Sequence, residues 1–252
     1  MFKSMPRPPL ILIPGTLCDA RMFDRQARAL RGQARVQCIT YQQINWRGDW
    51  ATQLLQQLPG RFALAGFSLG GLVALELLRR APERIERLAL IASNAESAGS
   101  TALRRSTYLH RLWLARGPQA VSRQTKPAYF HHPARCHQHA ALLFDMALQT
   151  PRRAALGEFA WAASRPDGYR ALAAFSGPVL IASGANDRLC PRALQQRMAV
   201  AQPRARWCEI QRCGHFVPLE APGQLSDALR TWFSEPTSKN PLKPPDNHLP
   251  QG

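Results

Sequence analysis

Short, nearly all apolar runs alternate with amphipathic stretches along most of this 252-residue chain, and that alternation points to an α/β architecture built on a parallel sheet. The runs predict strands at Leu10–Ile13, Val36–Ile39, Phe62–Ala65, Leu88–Ala92, Val179–Ser183 and Trp207–Ile210. Between them, apolar residues at helical spacing predict helices over Ala20–Leu30, Trp50–Leu58, Ser68–Arg80, Arg192–Ala201 and Gly223–Phe233. Strands with almost no polar side chains imply a sheet covered on both faces. The rhythm stops between residues 94 and 176, where Leu, Ala and Arg recur at helical spacing without a strand. The expected organisation is therefore a core of residues 9–93 and 177–233, a helical cap of residues 94–176, an N-terminal extension of residues 1–8 and a proline-rich disordered tail of residues 235–252. Ligands of open α/β sheets bind beyond the carboxyl ends of the strands, so such a cap would roof the site.

One of these strand–helix junctions carries chemistry. Gly66-Phe67-Ser68-Leu69-Gly70 is a G-x-S-x-G placed directly after an apolar strand and directly before a helix. A serine there occupies a tight turn that only glycine-sized neighbours permit, with its hydroxyl exposed at the start of a helix dipole. Serine alone is a weak nucleophile and needs a base and an orienting acid. Asp187 lies just past the strand that ends at Ser183, and His215 follows the strand Trp207–Ile210. The order Ser68, Asp187, His215 suits a catalytic triad of this kind.

These motifs, together with Leu12-Ile13-Pro14-Gly15-Thr16-Leu17 and Cys213-Gly214-His215-Phe216 followed by Leu219-Glu220 and Pro222, resemble the α/β-hydrolase-fold serine hydrolases. Within that family the chain is similar to small cap-bearing esterases, including enol-lactonases and pimeloyl-carrier methyl esterases. The resemblance implies a mostly parallel sheet of about six strands flanked by helices, with two strands of the larger family pattern missing. It implies hydrolysis of a carboxylic ester through an acyl-enzyme on Ser68, with His215 as base and Asp187 orienting it. The backbone N–H groups of Leu69 and Thr16 would form the oxyanion hole. Leu17, Asn94, Trp161, Arg165 and Phe216 are candidate substrate contacts, with core packing the default for Trp161 and pairing with Asp167 the alternative for Arg165. The family's usual His-Gly is Pro14-Gly15 here, which removes a side chain but leaves the backbone donor of Thr16. No cofactor and no metal are required.

Charge bears on partners. The sequence holds 33 Lys and Arg against 16 Asp and Glu, a net +17, and only Lys3, Lys126, Lys239 and Lys243 are lysine. The cations are scattered, with no aromatic-flanked nucleic-acid module, so a nucleic-acid role has only the net charge behind it. Eleven cations and four acids (Glu96, Asp145, Glu158, Asp167) fall in the cap. They form either the charged outer face of amphipathic helices or a docking surface for an acidic acyl carrier protein or coenzyme A thioester, since Arg binds phosphate bidentately. That gives a second enzymatic reading, a thioesterase or methyl esterase acting on carrier-bound acyl chains, and a third reading as a non-catalytic binding protein on the same fold. His131, His132, Cys136, His137 and His139 cluster with zinc-like spacing, but no second ligand segment accompanies them, and the imidazoles read as mostly solvent-facing on a helix opened by Pro133. Six cysteines without a C-x-x-C pair, no export signal and no apolar run long enough to span a bilayer lead to the expectation of a cytoplasmic protein.

Overall fold

The computed structural model describes residues 8–237; the expected tail lies almost wholly outside these, as does the extension before residue 8. Six strands form one sheet: β1 (Leu10–Ile13), β2 (Val36–Cys38), β3 (Phe62–Phe67), β4 (Ile85–Ile91), β5 (Val179–Gly184) and β6 (Arg206–Ile210). Their spatial order is β2-β1-β3-β4-β5-β6 and every pairing is parallel. The helices are α1 (Asp24–Leu30), α2 (Trp50–Gln57), α3 (Leu69–Arg80), α4 (Ser100–Thr125), α5 (Pro133–Gln149), α6 (Arg152–Ser164), α7 (Tyr169–Ala174), α8 (Arg192–Ala201), α9 (Val217–Glu220) and α10 (Pro222–Ser234).

Alternation along the central strands sends side chains to two separate cores. Ile11, Ile13, Leu64, Leu88, Leu90, Val179 and Ile181 face α2, α3, α7 and α8. Leu10, Leu12, Ala63, Ala65, Ile91, Leu180 and Ala182 face α1 and α10. β1, β3 and β5 are buried along their whole length, whereas the edge strands β2 and β6 are mostly half-buried. Each fully buried Leu or Ile contributes about 1.5–3 kcal/mol, so the two-sided sheet dominates the favourable side of the balance.

The observed strands differ from the apolar runs where backbone geometry intervenes. β4 ends at Ile91 because Ala92 turns into the left-handed region at φ 45°. The same strand begins three residues earlier than the apolar run, at Ile85, because Arg87 is buried and donates through Nη1 to the carbonyls of Trp232 and Phe233 at 2.7 Å. These carbonyls belong to the last turn of α10, where Trp232 O also accepts the Glu235 N–H at 3.3 Å. Over Ala20–Leu30 the chain makes a 3-10 turn, Ala20–Phe23, before α1.

Between β4 and β5 lie α4 to α7. α4 is broken at Gly117, which takes φ 74°, and Pro118 restarts the helix where no amide donor is needed. Leu109, Leu112, Trp113, Val121, Ala147, Ala155 and Phe159 from α4, α5 and α6 form a third core, into which Leu17 of the loop after β1 inserts.

α3 sits against the sheet through glycine. A Cβ on Gly70 would lie 2.1 Å from the Ile13 carbonyl oxygen and 2.5 Å from that of Pro14, both backbone atoms. Gly70→Ala should therefore lower stability by about 3 kcal/mol, because main chain must move to admit the methyl group. Gly60→Ala, where a Cβ meets nothing within 4 Å, should stay within about 1 kcal/mol of the parent. Urea unfolding of the two variants checks the difference.

Candidate active site

Ser68 stands between β3 and α3 with φ 53° and ψ −116°, a conformation that non-glycine residues rarely adopt. Its N–H donates to Ile91 O at 2.9 Å, and its carbonyl accepts from Ser93 Oγ at 2.8 Å and from Gly71 N–H at 3.0 Å. A Cβ on Gly66 would fall 2.2 Å from Gly70 O, so the turn closes only with glycine on both sides. The hydroxyl is half-exposed while the residues flanking it are buried.

The loops after β5 and β6 bring the other two residues to it. His215 Nε2 lies 2.9 Å from Ser68 Oγ, and His215 Nδ1 lies 2.8 Å from Asp187 Oδ2. Asp187 and His215 are both buried. Burial works to raise the Asp187 pKa, but the charge and hydrogen bond of His215 and the N–H groups of Cys190 and Leu189 on Oδ1 outweigh it and hold the carboxyl below its ordinary value. The His215 loop is pinned by buried Glu220, whose carboxylate accepts N–H bonds from Gly214, Phe216 and His131. The His215 N–H itself donates to Tyr129 O at 2.7 Å, so the segment between α4 and α5 touches the histidine directly.

Two cavities meet at Ser68. The larger, about 590 Å³, includes Thr16, Ser68, Leu69, Asn94, Arg105, Phe159, Arg165 and Leu189 in its wall. The smaller, about 40 Å³, runs under Leu17, Cys18, Phe67, Lys126, Tyr129, His215 and Phe216. Thr16, Ser68 and Arg105 line both. Among the described residues no protein acceptor takes the N–H of Leu69 or of Thr16. Two free donors beside an activated hydroxyl are what an oxyanion would need.

Of the five candidate substrate contacts, Leu17, Asn94, Arg165 and Phe216 line these cavities. Trp161 does not; it packs edge-on against Trp50 with ring centroids 4.9 Å apart. The reading of the cap charges as one outer face also needs correction. Arg104, Arg111, Arg116, Arg123, Arg135, Arg152, Arg153 and Arg170 are exposed, but Arg105 is half-buried at the cavity and Lys126 and Glu158 are buried. Sequence periodicity did not single out Arg105 and Lys126, which line the cavities, or Glu158, which accepts the Leu17 N–H behind them. The available signal was weak: Glu158 stands beside Phe159, and Lys126 directly precedes Pro127. Burial pushes Glu158 up to about 8 and Lys126 below the usual lysine range. Cys18 rises to about 11 and Cys190 higher still, both by burial, so neither thiol is poised to ionise at neutral pH. In the histidine cluster, His132 accepts the Ala134 N–H at the start of α5 and His139 stacks on Phe130.

Comparison with known proteins agrees with this geometry. The family described as alpha/beta hydrolase matches residues 10–228. A pimeloyl-[acyl-carrier protein] methyl ester esterase of Aromatoleum aromaticum is 34% identical over 185 residues, which cover 69% of this chain and 74% of the relative. The enzyme of the same name from Nitrosomonas europaea is 26% identical, covering 86% of this chain and 92% of its own. Among solved structures, the enol-lactonase of Burkholderia xenovorans shares the fold with a TM-score of 0.77 at 20% identity, over 93% of this chain and 94% of that one.

The depressed Asp187 pKa has a measurable sign. An ordinary aspartate is half-protonated near pH 3.9; the Asp187 carboxyl resonance should still show the ionised form there and titrate only at lower pH. Its contribution to stability is present above the unfolded value and is lost as pH falls through the lower folded one. Carboxyl-labelled NMR titration is the check, and a midpoint above 4 would contradict the site electrostatics.

Proposed function

The chain belongs to the alpha/beta hydrolase family, and from that premise we propose that it is an esterase cleaving a carboxylic ester through an acyl-enzyme on Ser68. The observation that carries this reading is the unbroken hydrogen-bonded line from Ser68 Oγ through His215 to Asp187 at 2.9 and 2.8 Å, on a strained strand-to-helix turn. His215 accepts the serine proton as Oγ attacks the acyl carbonyl, and Asp187 fixes the imidazole tautomer and balances its charge. The carbonyl oxygen becomes an oxyanion held by the N–H groups of Leu69 and Thr16, each donor contributing about 3 kcal/mol in comparable enzymes. His215 then protonates the leaving alcohol. Water, deprotonated by the same histidine, attacks the acyl-enzyme and frees the acid.

In this proposal residues 94–176 act as a cap that shapes both cavities and chooses the acyl group. All six cysteines are free, which fits a reducing compartment such as the cytoplasm. No helix among the described residues is long and apolar enough to cross a membrane.

A second reading follows from one further pair of observations. The relatives named above act on a carrier-bound methyl ester by their names, and eight arginines stand exposed on the helical segment. An acidic acyl carrier protein or a coenzyme A thioester would be drawn to that surface, with the acyl arm reaching Ser68 past Arg105.

Fluorophosphonate should add once to the parent protein and not to Ser68→Ala, and Ser68→Ala should lose p-nitrophenyl ester turnover by about 10⁵-fold or more. Asp187→Asn should keep the fold and lose about 10⁴-fold in kcat. Absence of both adduct and turnover from folded parent protein would reject the esterase proposal. For the carrier reading, raising salt from 50 to 500 mM should weaken kcat/KM for a carrier-bound ester at least tenfold and leave a small neutral ester unchanged. Equal salt dependence of the two substrates would reject it.

A further inference from the structure

The loop after β1 holds a residue strained in the same manner as Ser68. Leu17 takes φ 54° in a turn closed by the Cys18 N–H on Gly15 O at 3.1 Å. Glycine is the usual occupant of such a position, and rotating the peptide between Thr16 and Leu17 would return Leu17 to an ordinary negative φ. What prevents that rotation is contact from both ends of the residue. The Leu17 N–H donates to Glu158 Oε2 at 2.7 Å, and the Leu17 carbonyl accepts from Lys126 Nζ at 3.3 Å. Lys126 is anchored in turn on Leu143 O at 3.2 Å.

Both partners come from the helical segment between β4 and β5: Glu158 from α6, and Lys126 from the turn that follows α4. Each is buried, at 1% and 5% exposure, although neither forms an ion pair within 4 Å among the described residues. Glu158 Oε1 is buried without a partner. Burying two ionisable groups on a single backbone residue is a costly arrangement for packing alone, since apolar side chains would fill the same space without desolvation. Its effect is to fix the two peptides that flank Leu17, the first of which joins Leu17 to Thr16.

We propose that Glu158 and Lys126 are positioning residues that clamp the Leu17 backbone and thereby hold the Thr16 N–H where the oxyanion forms. The inference rests on the esterase reading above, in which Thr16 is an oxyanion donor. It makes assembly of the oxyanion hole depend on the seating of α4 and α6: if these helices lift from the sheet, the strained turn loses both its restraints and the donor loses its aim. The pair touches neither nucleophile nor substrate carbonyl, so its loss should appear in the transition state and not in substrate affinity.

The test uses the full-length protein and a small p-nitrophenyl ester, with kcat, KM and affinity for a trifluoromethyl ketone measured on each variant. Glu158→Ala should lower kcat at least tenfold, with KM within twofold and ketone affinity falling in step with kcat. Glu158→Gln keeps an acceptor oxygen for the Leu17 N–H and should restore kcat to within about threefold of the parent. Lys126→Met, which keeps the length of the side chain and removes its donors, should lower kcat with ketone affinity falling in step; because Lys126 also lines the smaller cavity, the KM criterion is read on Glu158. Circular dichroism and thermal unfolding confirm that each variant is folded, and the Gln variant supplies the comparison if the Ala variant is not. A folded Glu158→Ala with parental kcat overturns the clamp, as does equal loss in Glu158→Gln and Glu158→Ala, or an effect confined to KM. Parent protein that neither labels at Ser68 nor turns over ester rejects the underlying esterase reading instead, which separates the two failures.

Discussion

The close approach of α3 to the ends of β1 and β3 governs the rest of the molecule. Gly70 brings main chain against Ile13 O and Pro14 O, Gly66 brings it against Gly70 O, and a methyl group at either place would collide with backbone. That contact forces the single residue between strand and helix into φ 53°, and the residue is Ser68. Conformations of this type cost of order 1–3 kcal/mol each and survive only where surrounding structure overdetermines them. Here the overdetermination is visible: Ser68 is tied through its N–H to β4 and through its carbonyl to Ser93 and Gly71. Strain of this kind follows one edge of the sheet. The four non-glycine residues with positive φ among those described are Leu17, Ser68, Ala92 and Arg212, which follow β1, β3, β4 and β6 respectively. The carboxyl edge of a parallel sheet is where chains must leave strands abruptly to make room for a ligand, and a buried sheet of this size has the stability to hold such turns.

What could be read from sequence divides along the same line. The Ser68 turn was legible because its requirements are local: two glycines at fixed offsets, an apolar strand before and a helix after. Asp187 and His215 were legible because they stand just beyond apolar runs that could only be strands. The start of β4 was hidden by Glu86 and Arg87, since a buried guanidinium looks like a surface residue until the carbonyls of Trp232 and Phe233 are placed beside it. Trp161 reads as pocket wall or as core, and its ring makes the core contact with Trp50, which itself packs on Trp46. No periodicity distinguishes those two destinations. Lys126 and Glu158 were counted with the outward charges because an amphipathic pattern assigns charge to solvent. Their burial depends on contacts more than 100 residues away in sequence, at Leu17.

Charge in the helical segment therefore falls into two populations with different physical reach. The exposed arginines lie in water, where pairwise attraction is weak and salt screens it beyond about 8–10 Å. Such charges can raise the encounter rate of an acidic carrier and orient it, but they contribute little to the barrier at Ser68. The buried Lys126 and Glu158 are the opposite case: shielded from salt and hydrogen-bonded to backbone inside the fold. Arg105 stands between the populations, half-buried in the wall of both cavities with its guanidinium 4.9 Å over the Tyr129 ring. An Arg held on an aromatic face keeps its charge and its planar donors available to a substrate group.

On the carrier reading, this separation would let one inserted segment do two jobs without conflict. Selectivity for the body that delivers the acyl group would then change on substituting arginines of the outer face, since none of those eight positions takes part in the Leu17 contacts. On the clamp proposal turnover would answer to the inner pair, since α6 reaches Leu17 through the 2.7 Å Glu158 hydrogen bond as well as through the packing of Ala155 and Phe159. The segment is joined to the site at a second point, where Tyr129 O accepts the His215 N–H and Gly214 admits the chain so closely that a Cβ there would fall 2.4 Å from Tyr129 O. If the site works as proposed, nucleophile activation and oxyanion binding are both braced by the helices that line the cavities. The segment is tied to the His215 loop through Tyr129 O and to the Thr16 loop through the Leu17 contacts. On that proposal a displacement of the segment would disturb the base and the oxyanion donor together.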